Sequence, residues 1–175
     1  MLFGVYGIPH SRGLSVKGDL EQMSAPKEYL LGNKAKELLI HTTKLTMNTK
    51  LFPKSVRFTY CHELQRTATA IVKNIHSANE CMFQTEHRRR LELIKQVLDD
   101  TNYMLQLLEV CLELNFIDAN RCKHWSNLVL NVKYMSAAWK KKDGERAKKI
   151  VEDEEKQEIE KQRSIIQEVV KNLRY

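Results

Sequence analysis

The feature of this sequence that most limits its fold is a long stretch without helix breakers: residues 54–143 contain neither glycine nor proline. These two residue types most often mark turns, so a stretch of this length without them is typical of long helices. Turns inside it must be marked by polar clusters instead, and two are present, at 79–85 and at 115–118. The stretch therefore predicts three helices in series.

Apolar residues recur every three or four positions in each predicted helix, which places them on one face. The stripe of the second helix comprises Phe58, Cys61, Leu64, Ala68, Ile71, Ile75 and Ala78. A first helix starts near Pro26, the third runs from about 86 to 115, and the fourth follows a cap at Asp118. The fold class is therefore all-α, an antiparallel up-and-down four-helix bundle. Three aromatic residues are expected in its core rather than as base-stacking platforms: Phe58, Trp125 and Trp139.

Two further segments flank the predicted bundle of residues 24–143. Residues 1–23 hold four of the six glycines and show no apolar periodicity, which predicts a flexible N-terminal arm. Residues 144–175 begin with dense charge and then carry an apolar stripe, which predicts an extra, charged C-terminal helix. The candidate partner-binding residues on this stripe are Ile159, Ile166, Val169 and Leu173. Docking on a partner or a neighbouring subunit is one interpretation, and folding back onto its own bundle is the other.

The net charge of +7 lies entirely between residues 24 and 143, because each flank has as many acidic as basic residues. Such an excess fits a nucleic-acid binder, but it also fits a solubilising charge or an acidic protein partner. The densest cluster is HRRR at 87–90, near a predicted helix start, where cations oppose the helix dipole and so do not serve helix stability. The candidate nucleic-acid-binding residues are Lys54, Arg57, Arg66, Lys73, Arg88, Arg89, Arg90, Lys95, Lys123, Lys133 and Lys140. An ordinary solvated surface is the alternative for this set.

The sequence carries no recognisable catalytic or metal-binding pattern. No histidine or cysteine pair has zinc-ligand spacing, and there is no glycine-rich phosphate loop or GxSxG turn. We therefore expect no catalytic residue, no metal and no cofactor. The four cysteines lack CxxC spacing and are expected to be buried thiols in a reducing compartment. No apolar run approaches the roughly 20 residues that cross a bilayer, so a cytoplasmic location without a membrane partner is expected.

The turn into the second helix carries a recognisable motif, LFPKSVRF at 51–58, and the helix that follows ends in Ser77, Ala78 and Asn79. By this motif and the helix lengths, residues 27–140 resemble the Avd family, four-helix-bundle accessory proteins of diversity-generating retroelements. They are similar, more distantly, to four-helix proteins encoded in ribosomal-RNA intervening sequences. Lys54 and Arg57 are the basic positions within the motif itself.

The Avd resemblance implies a homopentameric barrel of bundles with a basic surface and no catalytic residue. It also implies two partners, the element's reverse transcriptase and nucleic acid, either RNA or single-stranded DNA, during mutagenic copying of a template RNA. Our first hypothesis is accordingly a non-enzymatic accessory subunit that binds both. The alternative is a protein-interaction scaffold of the helical-bundle type, in which the basic face and the C-terminal stripe contact an acidic partner and nucleic acid plays no part.

Overall fold

The computed structural model describes residues 27–172, and this part of the chain is helical apart from short connections. Its four long helices are α1 (Lys27–Thr46), α2 (His62–Glu80), α3 (Phe83–Glu113) and α4 (Ala119–Asn172). A 3-10 turn at Lys54–Val56 and a π-helical turn at Arg57–Cys61 lead into α2. The predicted flexible arm at 1–23 lies outside the described residues.

The four helices form a closed ring of neighbours. α1 packs against α2 and α4, and α3 packs against the same two helices. Because the chain reverses at each short connection, successive helices are antiparallel, and α2 and α4 occupy opposite corners. The predicted all-α up-and-down four-helix bundle is confirmed.

Apolar side chains from all four helices fill the core. Those with the least exposure include Leu38, Leu64, Ile71, Ile94, Met104, Leu108, Trp125 and Val129. The Trp125 indole N–H donates to the Thr42 hydroxyl oxygen at 3.1 Å, which satisfies the one polar atom of this large side chain and joins α4 to α1. Trp139 is buried as well, so the core placement of both tryptophans is confirmed.

All four cysteines are buried and free, as the sequence predicts. Burial raises the pKa of the Cys111 thiol to about 12, and the neighbouring thiols of Cys61 and Cys122 act in the same direction. A thiol in this state is neither a nucleophile nor a metal ligand at neutral pH.

The two predicted connections within the glycine-free stretch both exist. Between α3 and α4, Asn115 takes a left-handed conformation with φ of 59°, and the Asp118 carboxylate accepts from the Arg121 backbone N–H at 2.8 Å, which confirms the predicted cap. Between α2 and α3 the connection is shorter than predicted, only residues 81–82. α3 begins at Phe83 and kinks at Glu86, where φ is −119° and ψ is 20°.

The predicted helix boundary at 143–144 is absent, because α4 passes through it without interruption. Asp143 and Ala147 are both buried against the bundle and so hold the helix in register on either side of Gly144. A glycine inside a helix costs only about 1 kcal/mol relative to alanine. The predicted C-terminal helix is thus the continuation of α4, while the division of the chain into separate units at this point stays a prediction.

Every residue of α4 from 152 to 171 is exposed, and we call this segment the α4 extension. At 1.5 Å per residue, the α4 extension projects about 30 Å beyond the last contacts with the bundle. Among the described helices, none combines the length and the apolar character that a bilayer crossing requires.

Candidate nucleic-acid interface

The entry into α2 is the least regular part of the bundle. Pro53 starts a 3-10 turn, and the π-helical turn that follows is closed by the His62 backbone N–H, which donates to the carbonyl oxygen of Arg57. A π-helical turn contains one residue more per hydrogen bond than an α-helical turn, so side chains at its start are rotated relative to the stripe of α2. Phe58 is 87% exposed as a result, and its predicted place in the core is wrong.

This irregular entry exposes cations that are close to Phe58 in sequence. We call Lys50, Lys54, Arg57 and Phe58 the turn cluster; all four are exposed. No acidic residue occurs between Glu37 and Glu63. None of the three turn-cluster cations forms an ion pair with any carboxylate in the described part of the chain. The surface therefore combines uncompensated positive charge with an exposed aromatic face.

A cleft of about 470 Å³ adjoins the turn cluster, between the end of α1 and the start of α2. Its lining residues are Thr43, Thr46, Met47, Arg57, Phe58, Cys61, His62 and Gln65. The Gln65 amide donates to the Thr46 hydroxyl at 2.7 Å, and that hydroxyl donates to the Thr42 carbonyl at 2.8 Å. This chain of hydrogen bonds orients the Gln65 side chain in the lining of the cleft.

The charge of Arg57 reaches into this cleft. Burial raises the pKa of the Cys61 thiol, and the nearby positive charge of Arg57 acts against that rise. Arg57 therefore lies close enough to the cleft wall to interact with a group bound there, while Cys61 itself stays a buried, protonated thiol.

Arg66 and Lys73 follow along α2, seven residues apart and therefore on one outward face. Both are exposed, but Arg66 is engaged by the Glu63 carboxylate at 2.6 Å. The hydrogen bond from Arg66 is the main reason that the pKa of Glu63 is lowered. Arg66 is thus partly neutralised, and Lys73 is the less compensated cation on this face.

The arginine cluster at the start of α3 is divided between surface and core. Arg88 and Arg89 are exposed, and Arg89 pairs with Glu86 at 3.2 Å. Arg90 is only 7% exposed: its Nε donates to the Asp143 carboxylate at 2.8 Å, and its guanidinium lies 4.9 Å from the centroid of the Trp139 ring. The prediction that Arg90 contacts nucleic acid is wrong, because Arg90 neutralises a buried carboxylate where α3 meets α4.

The remaining predicted cations lie elsewhere on the bundle. Lys95 on α3 and Lys123 on α4 are exposed, whereas Lys133 and Lys140 on α4 are half-buried. Because α2 and α4 occupy opposite corners, their outward faces point away from each other. Within this chain Lys54 lies near Arg57 in the entry to α2, Arg66 and Lys73 share one face of α2, and Arg88 and Arg89 are exposed together on α3. These groups and the cations of α4 do not form one continuous predicted surface.

Sequence reasoning missed two members of the turn cluster, Lys50 and Phe58. The absence of acidic residues between Glu37 and Glu63 is the signal that could have identified Lys50. No comparable signal marks Phe58, because its spacing to Cys61 and Leu64 fits a regular helical stripe.

The α4 extension presents the predicted partner-binding stripe to solvent. Ile159, Ile166 and Val169 are all more than half exposed, and Leu173 lies outside the described residues. Ile165 and Val170 widen the stripe. Because the extension continues α4 and is exposed at every described position, the alternative in which it folds back onto its own bundle is wrong.

No group of three or more metal-ligating side chains is placed to hold a metal ion within residues 27–172. That the protein binds no metal stays a prediction.

Comparison with known proteins supports the fold. The chain is similar to a solved protein of unknown function from the S23 ribosomal protein family of Bacteroides thetaiotaomicron, with a TM-score of 0.59 and 16% sequence identity. The match covers 66% of this chain and 99% of that one. No family model and no curated protein matches the chain. At 16% identity this similarity establishes a shared helical-bundle fold. It gives no information about function, which has to be inferred from the surface residues.

Proposed function

We propose that this protein is a non-enzymatic accessory subunit of a diversity-generating retroelement, which binds nucleic acid and the element's reverse transcriptase during mutagenic reverse transcription. The observation that carries the proposal is the turn cluster. Its Lys54 and Arg57 belong to the motif on which the Avd resemblance rests, and both are exposed without a carboxylate partner in the described chain. Unpaired surface cations of this kind bind phosphates with little sequence preference.

A second surface supports the polymerase part of the proposal. The stripe of Ile159, Ile166 and Val169 leaves apolar area in water, on the α4 extension, which no other described element covers. A partner that covers this stripe would gain from burying it and would order the α4 extension. We assign this surface to the reverse transcriptase, and the turn cluster to RNA or complementary DNA.

Nucleic-acid binding is tested by fluorescence anisotropy with labelled single-stranded RNA over a series of salt concentrations. The double variant K54E/R57E is expected to weaken binding and to reduce the slope of log affinity against log salt by about 1.4, since each lost phosphate contact on a single strand contributes roughly 0.7. K148E/K149E is the matched control, with the same charge change on exposed lysines of α4 far from the turn cluster. Equal loss in both variants, or wild-type affinity that does not vary with salt, contradicts the proposal.

The alternative function, a protein-interaction scaffold that binds no nucleic acid, is favoured specifically by the exposed apolar stripe of the α4 extension. Pull-down of the cognate reverse transcriptase by wild type and by I159D/I166D separates the surfaces. We expect the variant to lose the polymerase and to keep RNA affinity. Retained polymerase binding with no RNA binding by the wild type would leave only the scaffold.

The proposal includes the homopentamer that the Avd resemblance implies. Light scattering coupled to size-exclusion chromatography at micromolar concentration measures the mass directly. A mass five times that of the 20.5 kDa chain is expected, and a monomer would remove the barrel from the proposal.

A further inference from the structure

The proposed function leaves the form of the nucleic acid open, and the cleft beside the turn cluster bears on it. We propose that this cleft binds an unpaired nucleobase, stacked on Phe58, so that the ligand is single-stranded nucleic acid and not a duplex. This inference rests on the proposed nucleic-acid binding and assigns the chemical class of its ligand.

The first argument is the placement of Phe58. Its ring is 87% exposed and lies on the rim of a concave site, so one face is open to a flat aromatic ligand. The π-helical turn holds this arrangement, since in a regular helix the same residue would face the core with Cys61 and Leu64. Exposed aromatic rings beside positive charge are the usual means by which proteins hold single strands, because every base has a stacking face.

The second argument is the polar chemistry of the cleft. Gln65 uses one amide N–H to bind the Thr46 hydroxyl, which leaves its carbonyl oxygen as an acceptor and its other N–H as a donor. His62, which is exposed and also lines the cleft, adds its ring nitrogens. The edge of a base presents complementary donors and acceptors. The volume of about 470 Å³ is in the range of sites that hold small planar ligands.

The third argument is the charge around the cleft. Arg57 lines it directly, and Lys54 is exposed one turn earlier in the chain. A nucleotide whose base enters the cleft would therefore carry its phosphates past two cations that lack carboxylate partners in the described chain. A paired base cannot enter, because its edge and both its faces are occupied within the duplex. A duplex would reach the cations and leave Phe58 unused.

The test compares two fluorescein-labelled probes, a single-stranded oligonucleotide without self-complementarity and the fully paired duplex of the same length. F58A is expected to weaken single-strand binding by about 5- to 150-fold and to leave duplex binding unchanged, which is the range for removal of one stacked base. Y134A is the matched control, because Tyr134 is a comparably exposed aromatic residue on α4. F58W should keep the affinity, and quenching of its added fluorescence by the single strand should report the stacking directly.

The outcomes separate the inference from the function beneath it. Unchanged single-strand affinity of F58A, with weakened binding by K54E/R57E, would overturn the base site and leave nucleic-acid binding in place. An equal loss of affinity of F58A for the single strand and the duplex would also overturn it. So would a fall in the oligomer mass of F58A that accounts for the weaker binding, since Phe58 would then be a contact between copies of the chain. Failure of the wild type to bind either probe would overturn the inference and the proposed function together.

Discussion

Removal of the Asp143 carboxylate is the most informative perturbation of this fold, because Asp143 holds α4 to α3 before the α4 extension begins. Its side chain is 2% exposed and accepts from Arg90, whose own side chain is 8% exposed. Arg146, on the next turn of α4, approaches the second carboxylate oxygen at 3.2 Å. The substitution D143A takes away the charge around which both arginines are placed.

The expected magnitude follows from the burial of this pair. Removal of one member of a buried ion pair costs about 3–5 kcal/mol, because the other charge stays in a site that excludes water. The half-exposed pair with Arg146 adds at most about 1 kcal/mol. Domains of this kind are stable by roughly 5–15 kcal/mol, so about a fifth or more of the free energy of unfolding depends on this pair. With a urea slope of about 2 kcal/mol per molar, the midpoint of unfolding should fall by about 1.5–2.5 M.

The assay is urea unfolding followed by helical circular dichroism at a fixed protein concentration. E37A is the control, since it removes an exposed pair with Lys34 that is worth about 0.5 kcal/mol. The double variant R90M/D143L, which replaces both charges by apolar groups, should recover most of the loss of D143A. A loss below about 1 kcal/mol for D143A, or strictly additive single and double variants, would refute the reasoning.

Three further predictions concern the thiols, a histidine and the α4 extension. Cys111, whose pKa burial raises to about 12, should resist iodoacetamide near pH 8 until urea unfolds the protein, as followed by mass spectrometry; rapid labelling of the folded protein would contradict its burial. The pKa of His41 is lowered from 6.5, chiefly by burial and also by the nearby His124. The unfolded chain therefore binds a proton at higher pH than the folded protein does, and the free energy of unfolding should fall as the pH drops below about 6.5. H41Q should flatten that dependence in urea midpoints measured from about pH 7.5 to about pH 5.5, and an unchanged slope would assign it to another group. Truncation after residue 151 should change the free energy of unfolding by less than about 1 kcal/mol, because residues 152–171 are all exposed in the described chain; a larger loss would show that the extension is covered in an assembly.

The number and order of the helices could be predicted because their signal is local. Residues 54–143 lack breakers, the apolar residues recur at helical spacing, and Asp118 caps the last helix of the bundle. The stripe of α3 shows the limit of this reasoning. Val97, Met104 and Cys111 share its apolar spacing with Leu91, Leu98 and Leu105, yet the first three are fully buried and the other three are not. Spacing defines a face, and the neighbouring helices decide which part of that face lies deepest.

The incorrect predictions concern positions where tertiary packing or a change in helical register decides the outcome. Arg90 looks like a surface cation until Asp143, 53 residues later, is placed beside it. Phe58 looks like a core residue until the π-helical turn rotates it outward. The helix was expected to break at Gly144, but the buried neighbours Asp143 and Ala147 hold it. A single sequence contains none of these pairings.

The uninterrupted course of α4 sets a distance between the two proposed binding surfaces. The turn cluster adjoins the start of α4, since Tyr60 contacts Phe116 in the connection before it, with ring centroids 5.6 Å apart. Ile166 lies about 70 Å farther along the same rod. A polymerase held at the tip of one protomer would therefore work on a segment well downstream of the strand that the same protomer holds, so the rod would act as a molecular ruler between capture and copying.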